Sequence, residues 1–189
     1  MRGFAIIAHV FAPHIWKLGR NNMIPTLDTP QFRLIPPNLD CYELYKAFYT
    51  DANASKMYGG PIGIEQVWTR LKADIGSWYL LGYGVWIIQK KSDDNLIGTC
   101  GFWKGKDWPK ELTWWVMPEG RGKGVATEAS KAAIFHAYNK FKWSAVETYM
   151  NDDNIAARSL VEKLGGNKVD RKAFPDGLSR DIYQFPKSA

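Results

Sequence analysis

A single α/β domain built on a mixed sheet is the architecture that this sequence predicts. Three observations carry the prediction. The 189 residues suffice for one domain with a sizeable core. Apolar residues make up 46% and charged residues 23%, the balance of a folded chain rather than a disordered one. Helical and strand periods alternate along the chain as one strand, two helices, three antiparallel strands, a helix, a strand, a helix and two closing strands. No repeat, low-complexity tract or linker interrupts that order.

The first strand is expected over 31–35, stopped by Pro36-Pro37. Asn38 can cap a helix through about Thr50, whose Tyr42, Tyr45 and Phe48 share a side. Gly59-Gly60-Pro61 breaks the chain, and a second helix runs from about Ile64 to Leu80 with Val67, Leu71, Ile75 and Trp78 at helical spacing. The period then shortens. Residues 83–89 and 96–103 are apolar runs joined by Ser92-Asp93-Asp94-Asn95, which reads as an antiparallel hairpin. A polar loop and a third strand, 112–116, follow. A helix from about Gly124 to Tyr138 carries a small-residue stripe of Ala126, Ala129, Ala133 and Ala137, suited to close packing on a sheet. A strand at 145–150, a helix at 154–164 ended by Gly165-Gly166, and a pair of strands at 168–173 and 181–185 complete the domain.

The net charge of +6 favours anionic ligands, while no basic arm, helix-turn-helix or zinc-finger pattern points to nucleic acid. Cys41 and Cys100 are far apart and fit no metal spacing; reduced thiols in a cytoplasmic protein are the expected state. His9, His14 and His136 have no partner at ligand spacing, so no metal is expected. The apolar run from Phe4 to Ala12 is too short to span a bilayer and lacks a clean cleavage site. Residues 1–22 are therefore read as an extension of uncertain origin, and residues 23–189 as the domain, with no membrane association expected.

The chemistry centres on Arg121-Gly122-Lys123-Gly124-Val125-Ala126-Thr127, between a strand and a helix. Glycines let the backbone turn sharply and approach a ligand closely. The N–H groups and dipole of the first helical turn then favour phosphate, with Arg121, Lys123 and Thr127 as possible added contacts. A Walker A loop needs Lys-Ser/Thr where this chain has Val125-Ala126, and a dinucleotide turn needs a third glycine and a parallel unit. On the turn alone, a glycine-rich helix start with no ligand stays open.

The wider pattern, Val116-Met117-Pro118-Glu119-Gly120-Arg121-Gly122-Lys123-Gly124-Val125-Ala126-Thr127-Glu128-Ala129, resembles the acetyl-CoA motif of the GNAT superfamily. Asn154-Ile155-Ala156-Ala157 followed by Glu162-Lys163-Leu164-Gly165 is similar to that superfamily's second motif at the same separation. Thr29 to Leu34 and Tyr58-Gly59-Gly60-Pro61 resemble the ribosomal-protein N-terminal acetyltransferase (Rim-type) branch. The resemblance implies a mostly antiparallel sheet, splayed where strand 112–116 parts from strand 145–150. It implies acetyl-CoA as donor, with pantetheine amides on the backbone of Trp115 and Val116. The pyrophosphate would lie on the N–H groups of Gly122 to Thr127, with Asn154 on the pantetheine or as a helix cap.

Amine acetylation needs a base to take the amine proton and a donor for the oxyanion, but no covalent intermediate. Glu111, at the start of the strand beside the expected thioester, is the candidate base, with Glu147 and Glu128 behind it. An exposed strand-end carboxylate is the competing reading of Glu111. Many relatives place a Tyr seven residues after the Asn, or a Ser three after it; here those places hold Val161 and Ala157, so no side chain is assigned to protonate the departing thiolate. Trp108 in the polar loop and Trp86 are expected to wall the acceptor cleft. The reading is an N-acetyltransferase that joins acetyl-CoA and a primary amine in a ternary complex, as a monomer or homodimer. A non-catalytic acyl-CoA-binding module is the alternative.

Overall fold

The computed structural model describes residues 24–187, so the expectation for residues 1–22 lies outside the described residues. A five-stranded antiparallel sheet, in the order β1-β2-β3-β4-β5, holds β1 (Leu27–Asp28), β2 (Phe32–Ile35), β3 (Val85–Lys90), β4 (Leu96–Trp103) and β5 (Glu111–Val116). Between β2 and β3 the chain forms α1 (Tyr42–Tyr49), the short α2 (Ala52–Ser55) and α3 (Ile64–Leu81). After β5 come α4 (Val125–Asn139), β6 (Val146–Tyr149), α5 (Ile155–Lys163), β7 (Asn167–Ala173) and β8 (Ser179–Phe185). The last three strands make a second antiparallel sheet in the order β6-β8-β7.

Side-chain alternation divides the core between the two faces of the first sheet. Leu112, Val116, Trp86 and Ile88 point to α4, where Ala129, Ala133 and Ala137 are fully buried and bring the helix close. Trp115 and Ile87 point the other way, against Tyr45 and Phe48 of α1 and Val67 and Leu71 of α3. The Trp115 indole stacks on Phe48 with centroids 4.0 Å apart. The central strand β3 is buried on both faces, which is why its run Val85-Trp86-Ile87-Ile88 does not alternate in polarity.

Every ladder is antiparallel, and β5 and β6 sit side by side without one. A mixed sheet would need that ladder; its absence is the splay. The local surprises are small. The helix expected from Leu39 starts as a 3-10 turn, Leu39–Cys41, with the Asn38 side chain accepting from Asp40 N at 2.9 Å. Helix α2 and strand β1 were not expected. Asp51 starts α2 by accepting from Asn53 N at 2.8 Å and Ala54 N at 2.6 Å.

Trp86 departs from its expected role on the acceptor cleft. It is fully buried, its Nε1 donates to Pro25 O at 2.7 Å, and its ring lies 4.7 Å from that of Trp78. The strand's alternation turns it to the α4 face, away from any cleft. Trp86→Ala should therefore lower stability by about 3–5 kcal/mol in urea unfolding. Acceptor KM in the folded fraction should stay unchanged; a raised KM at unaltered stability would restore the cleft assignment.

Candidate active site

The connection from β5 to α4 places Gly122 and Gly124 at φ +73 and +78. These are left-handed values that glycine alone takes without strain. A Cβ at either position would meet no atom within 4 Å, so conformation rather than crowding demands glycine. No side chain caps α4, and Glu128 N is the first to bond back, to Gly124 O at 3.0 Å. The N–H groups of Val125, Ala126 and Thr127 are thus left for a ligand, at the positive end of the helix. They border a cavity of about 480 Å³ between this turn and α5.

Two expected cationic contacts change here. Arg121 Nε donates to Val116 O at 3.0 Å and its Nη2 to Ala54 O at 2.7 Å, so its guanidinium latches the turn to β5 and α2. Lys123 is exposed and does not line the cavity. What the turn offers the cavity is therefore backbone N–H groups.

The bond from Met117 N to Ile97 O, 2.8 Å, fixes which backbone groups of β5 face the opening. Trp115 turns its N–H and C=O to β4, while Leu112, Trp114 and Val116 turn theirs toward β6. The sequence reading is therefore one residue out: Trp114 and Val116, not Trp115, offer backbone to the gap. The three carbonyls on that side already have donors, namely Thr148 Oγ1 on Leu112 O at 2.8 Å, the Tyr58 hydroxyl on Trp114 O, and Arg121 on Val116 O. Asn154 caps α5 by accepting from Ala157 N at 3.1 Å, which leaves its amide N–H₂ free to donate.

A second cavity, of about 570 Å³, opens on the other side of the break. Glu111, Trp108, Tyr149 and Arg180 line it. Burial pushes the Glu111 carboxyl up from its ordinary 4.5 to about 8, against the opposing pull of the Tyr149 hydroxyl and the Arg180 charge. Tyr149 is itself pushed well above the usual phenol range by burial and by Glu111. Arg180 is only 7% exposed; it pairs with Asp176 at 2.9 Å through Nη1 and donates from Nε to Asn151 Oδ1 at 2.7 Å. Its guanidinium lies 4.9 Å from the Phe174 ring centre and 5.5 Å from that of Trp108. Trp108 stacks on Tyr149 with centroids 6.2 Å apart, at the cavity wall where the sequence reading put it.

The two cavities meet. Met57, Tyr58, Trp114, Asn154 and Ala157 line both. Tyr58 is the sole O–H among these five. Burial raises its pKa well beyond the ordinary phenol value, so it keeps its proton. Val161 is fully buried, and Ala157 carries no polar atom, so neither supplies one.

Other acidic candidates fall away. Glu128 accepts from Gln31 N at 2.7 Å and Gln31 Nε2 at 3.1 Å, which ties β2 to α4. Glu147 lines neither cavity. His136 packs edge-on to Phe141 at 4.7 Å, and burial holds its pKa down. Among the described residues no cluster of three metal-ligating side chains occurs, and no helix is long and apolar enough to cross a membrane. Sequence reasoning missed Tyr149, Tyr58, Asp176 and Arg180. Tyr149 was legible as a residue of the strand across the splay from Glu111, and Tyr58 opened a quoted loop segment. Asp176 and Arg180 carried no local signal.

The family model for the acetyltransferase (GNAT) domain matches residues 31–167. An acetyltransferase from Agrobacterium tumefaciens is similar over 89% of this chain and 99% of its own, at 26% identity and a TM-score of 0.79. RimL, the ribosomal L7/L12 alpha-N-protein acetyltransferase, shares the fold at 10% identity and a TM-score of 0.69, over 86% of this chain and 94% of its own. So does the Microcin C7 self-immunity acetyltransferase MccE, solved with acetyl-CoA and AMP, at 15% identity and a TM-score of 0.66, over 82% and 92%. No curated protein matches the chain significantly. Helix turn, open sheet and family match agree: the chain belongs to the GNAT acetyltransferase family and is an acyltransferase.

Proposed function

We propose that the protein transfers the acetyl group of acetyl-CoA directly to a primary amine, with both substrates bound at once. The observation that carries this reading is the meeting of the two cavities at Tyr58, Trp114 and Asn154. The cavity at α4 takes the donor, with the pyrophosphate on the N–H groups from Gly122 to Thr127 and the pantetheine amides on Trp114 and Val116. The cavity at Glu111 takes the amine. The thioester lies at the junction, reached from both sides.

Glu111 serves as the base, directly or through one water. A carboxyl at about 8 is mostly protonated at neutral pH but is a stronger base when ionised than an ordinary carboxylate. It takes the amine proton as the nitrogen attacks the thioester carbon. The tetrahedral intermediate then collapses, the C–S bond breaks and coenzyme A leaves as thiolate. Tyr58 hydrogen-bonds the leaving sulfur rather than surrendering its proton, because a phenol above its ordinary pKa is a weaker acid than a thiol. Water protonates the thiolate. The same hydroxyl rotates from the Trp114 carbonyl to the sulfur, a change that gains a charge-assisted bond.

Four outcomes are expected. By calorimetry, Gly124→Asp should weaken acetyl-CoA binding about 100-fold or more, since the carboxylate repels pyrophosphate, while Gly124→Asn, which tolerates the same left-handed backbone, should bind within about five-fold of wild type. Equal affinity for both would remove the pyrophosphate from this turn. With an acceptor of low amine pKa, kcat/KM should rise with pH to a limb near 8, and Glu111→Gln should lose that limb and about 100-fold in rate. Folded Glu111 also holds its proton more tightly than unfolded Glu111. Stability should therefore fall as pH rises from about 4.5 to 8, a drop that Glu111→Gln removes in pH-dependent melts. An unchanged limb would reject Glu111 as the base. Tyr58→Phe should lower kcat about 10- to 100-fold with the affinity for acetyl-CoA intact; lost affinity with normal kcat would make it a positioning residue only.

A further inference from the structure

Arg70 and Asp74 stand one turn apart on α3, and both line the cavity that holds Glu111. Residues so spaced are natural ion-pair neighbours. Asp74 feels the Arg70 charge, yet among the described residues no ion pair within 4.0 Å joins them. Each is left with unused capacity. Asp74 is 7% exposed; its Oδ2 accepts from the Tyr45 hydroxyl at 2.7 Å, and its other oxygen has no donor among the described residues. The Arg70 guanidinium lies 5.1 Å from the Tyr49 ring centre, with no hydrogen-bond acceptor among the described residues. Neither group is orphaned inside protein: the unpartnered atoms of both reach the cavity, where a ligand can meet them. Asp74 stays ionised at neutral pH, since burial raises it only to about 6.

The remaining charges of this cavity are committed. Asp176 and Arg180 neutralise each other, and Glu111 is the base proposed above. Tyr49 borders Arg70, and Tyr49, Tyr58 and Glu111 line the same cavity as the α3 pair. A ligand that completes Arg70 must bring an anion, and one that completes Asp74 must bring a donor, preferably a cation. One small group does both: the zwitterionic head of an α-amino acid.

Resting on the acetyl-transfer reading, we propose that Arg70 binds the carboxylate and Asp74 the α-ammonium of a diamino acid whose distal amine is acetylated at Glu111. The head group serves as the handle and the distal amine as the nucleophile. A diamine offers only half of the handle, and an ω-amino acid the other half.

Steady-state kinetics with lysine or ornithine, cadaverine and ε-aminocaproate separate the two contacts. Wild type should prefer lysine or ornithine by about ten-fold or more in kcat/KM over each of the other two. Arg70→Gln should lower kcat/KM about ten-fold on lysine and ε-aminocaproate and leave cadaverine unchanged. Asp74→Asn still accepts from Tyr45, and should lower it on lysine and cadaverine while leaving ε-aminocaproate unchanged. Equal wild-type turnover of all three acceptors, or variants that slow all three alike, would overturn the proposal while leaving amine acetylation standing. Acetyl-CoA binding without acetylation of any amine in a wide panel would overturn amine acetylation itself, and this proposal with it.

Discussion

The missing ladder between β5 and β6 is the constraint on which the rest depends. An open sheet edge exposes backbone groups that must find partners or bear a desolvation cost of about 1–3 kcal/mol each when buried. Here Thr148, Tyr58 and Arg121 reach the three carbonyls of β5 that face the gap. Side chains from β6, the turn after α2 and the glycine turn thus replace a strand. The sheet stays open without orphaned acceptors on this side of β5. Arg121 is turned away from its expected role on phosphate to do this, which leaves only backbone N–H groups at the N-terminus of α4 to meet an anion.

Burial sets the acid–base character of the site. Glu111 and Tyr58 both face cavities yet are enclosed by protein, and desolvation is the largest influence on each. A carboxyl made a better base and a phenol that keeps its proton are complementary outcomes of one cause. Arg180, held by Asp176 and Asn151, tempers Glu111 from the side. Without it the carboxyl would rise further and be ionised less often at neutral pH.

Much of this was legible in the sequence because it is local. Glycines at 122 and 124, an uncapped helix start, the Asn154 cap and the alanine stripe of α4 each declare themselves within a few residues. The splay, and Glu111 at the start of the strand beside it, were implied by the family resemblance. What stayed hidden is long-range. Trp86 and Trp108 are alike as residue types; strand parity sends the first into the core, and the loop before β5 leaves the second at the cavity. The choice between Trp115 and Trp114 turned on hydrogen-bond parity against β4, which composition does not encode. Arg70 and Asp74 sit on an ordinary amphipathic helix, and their place on the cavity wall emerges only in three dimensions.

Acetyl transfer through the break between β5 and β6 requires one position for the sulfur of coenzyme A. A crystal structure of the full chain with coenzyme A tests this. Pantetheine should lie between β5 and β6, its amides on the backbone of Trp114 and Val116, and its sulfur against the Tyr58 hydroxyl. A pantetheine arm outside the break, or a complex in which β5 and β6 close into a continuous ladder, would contradict it.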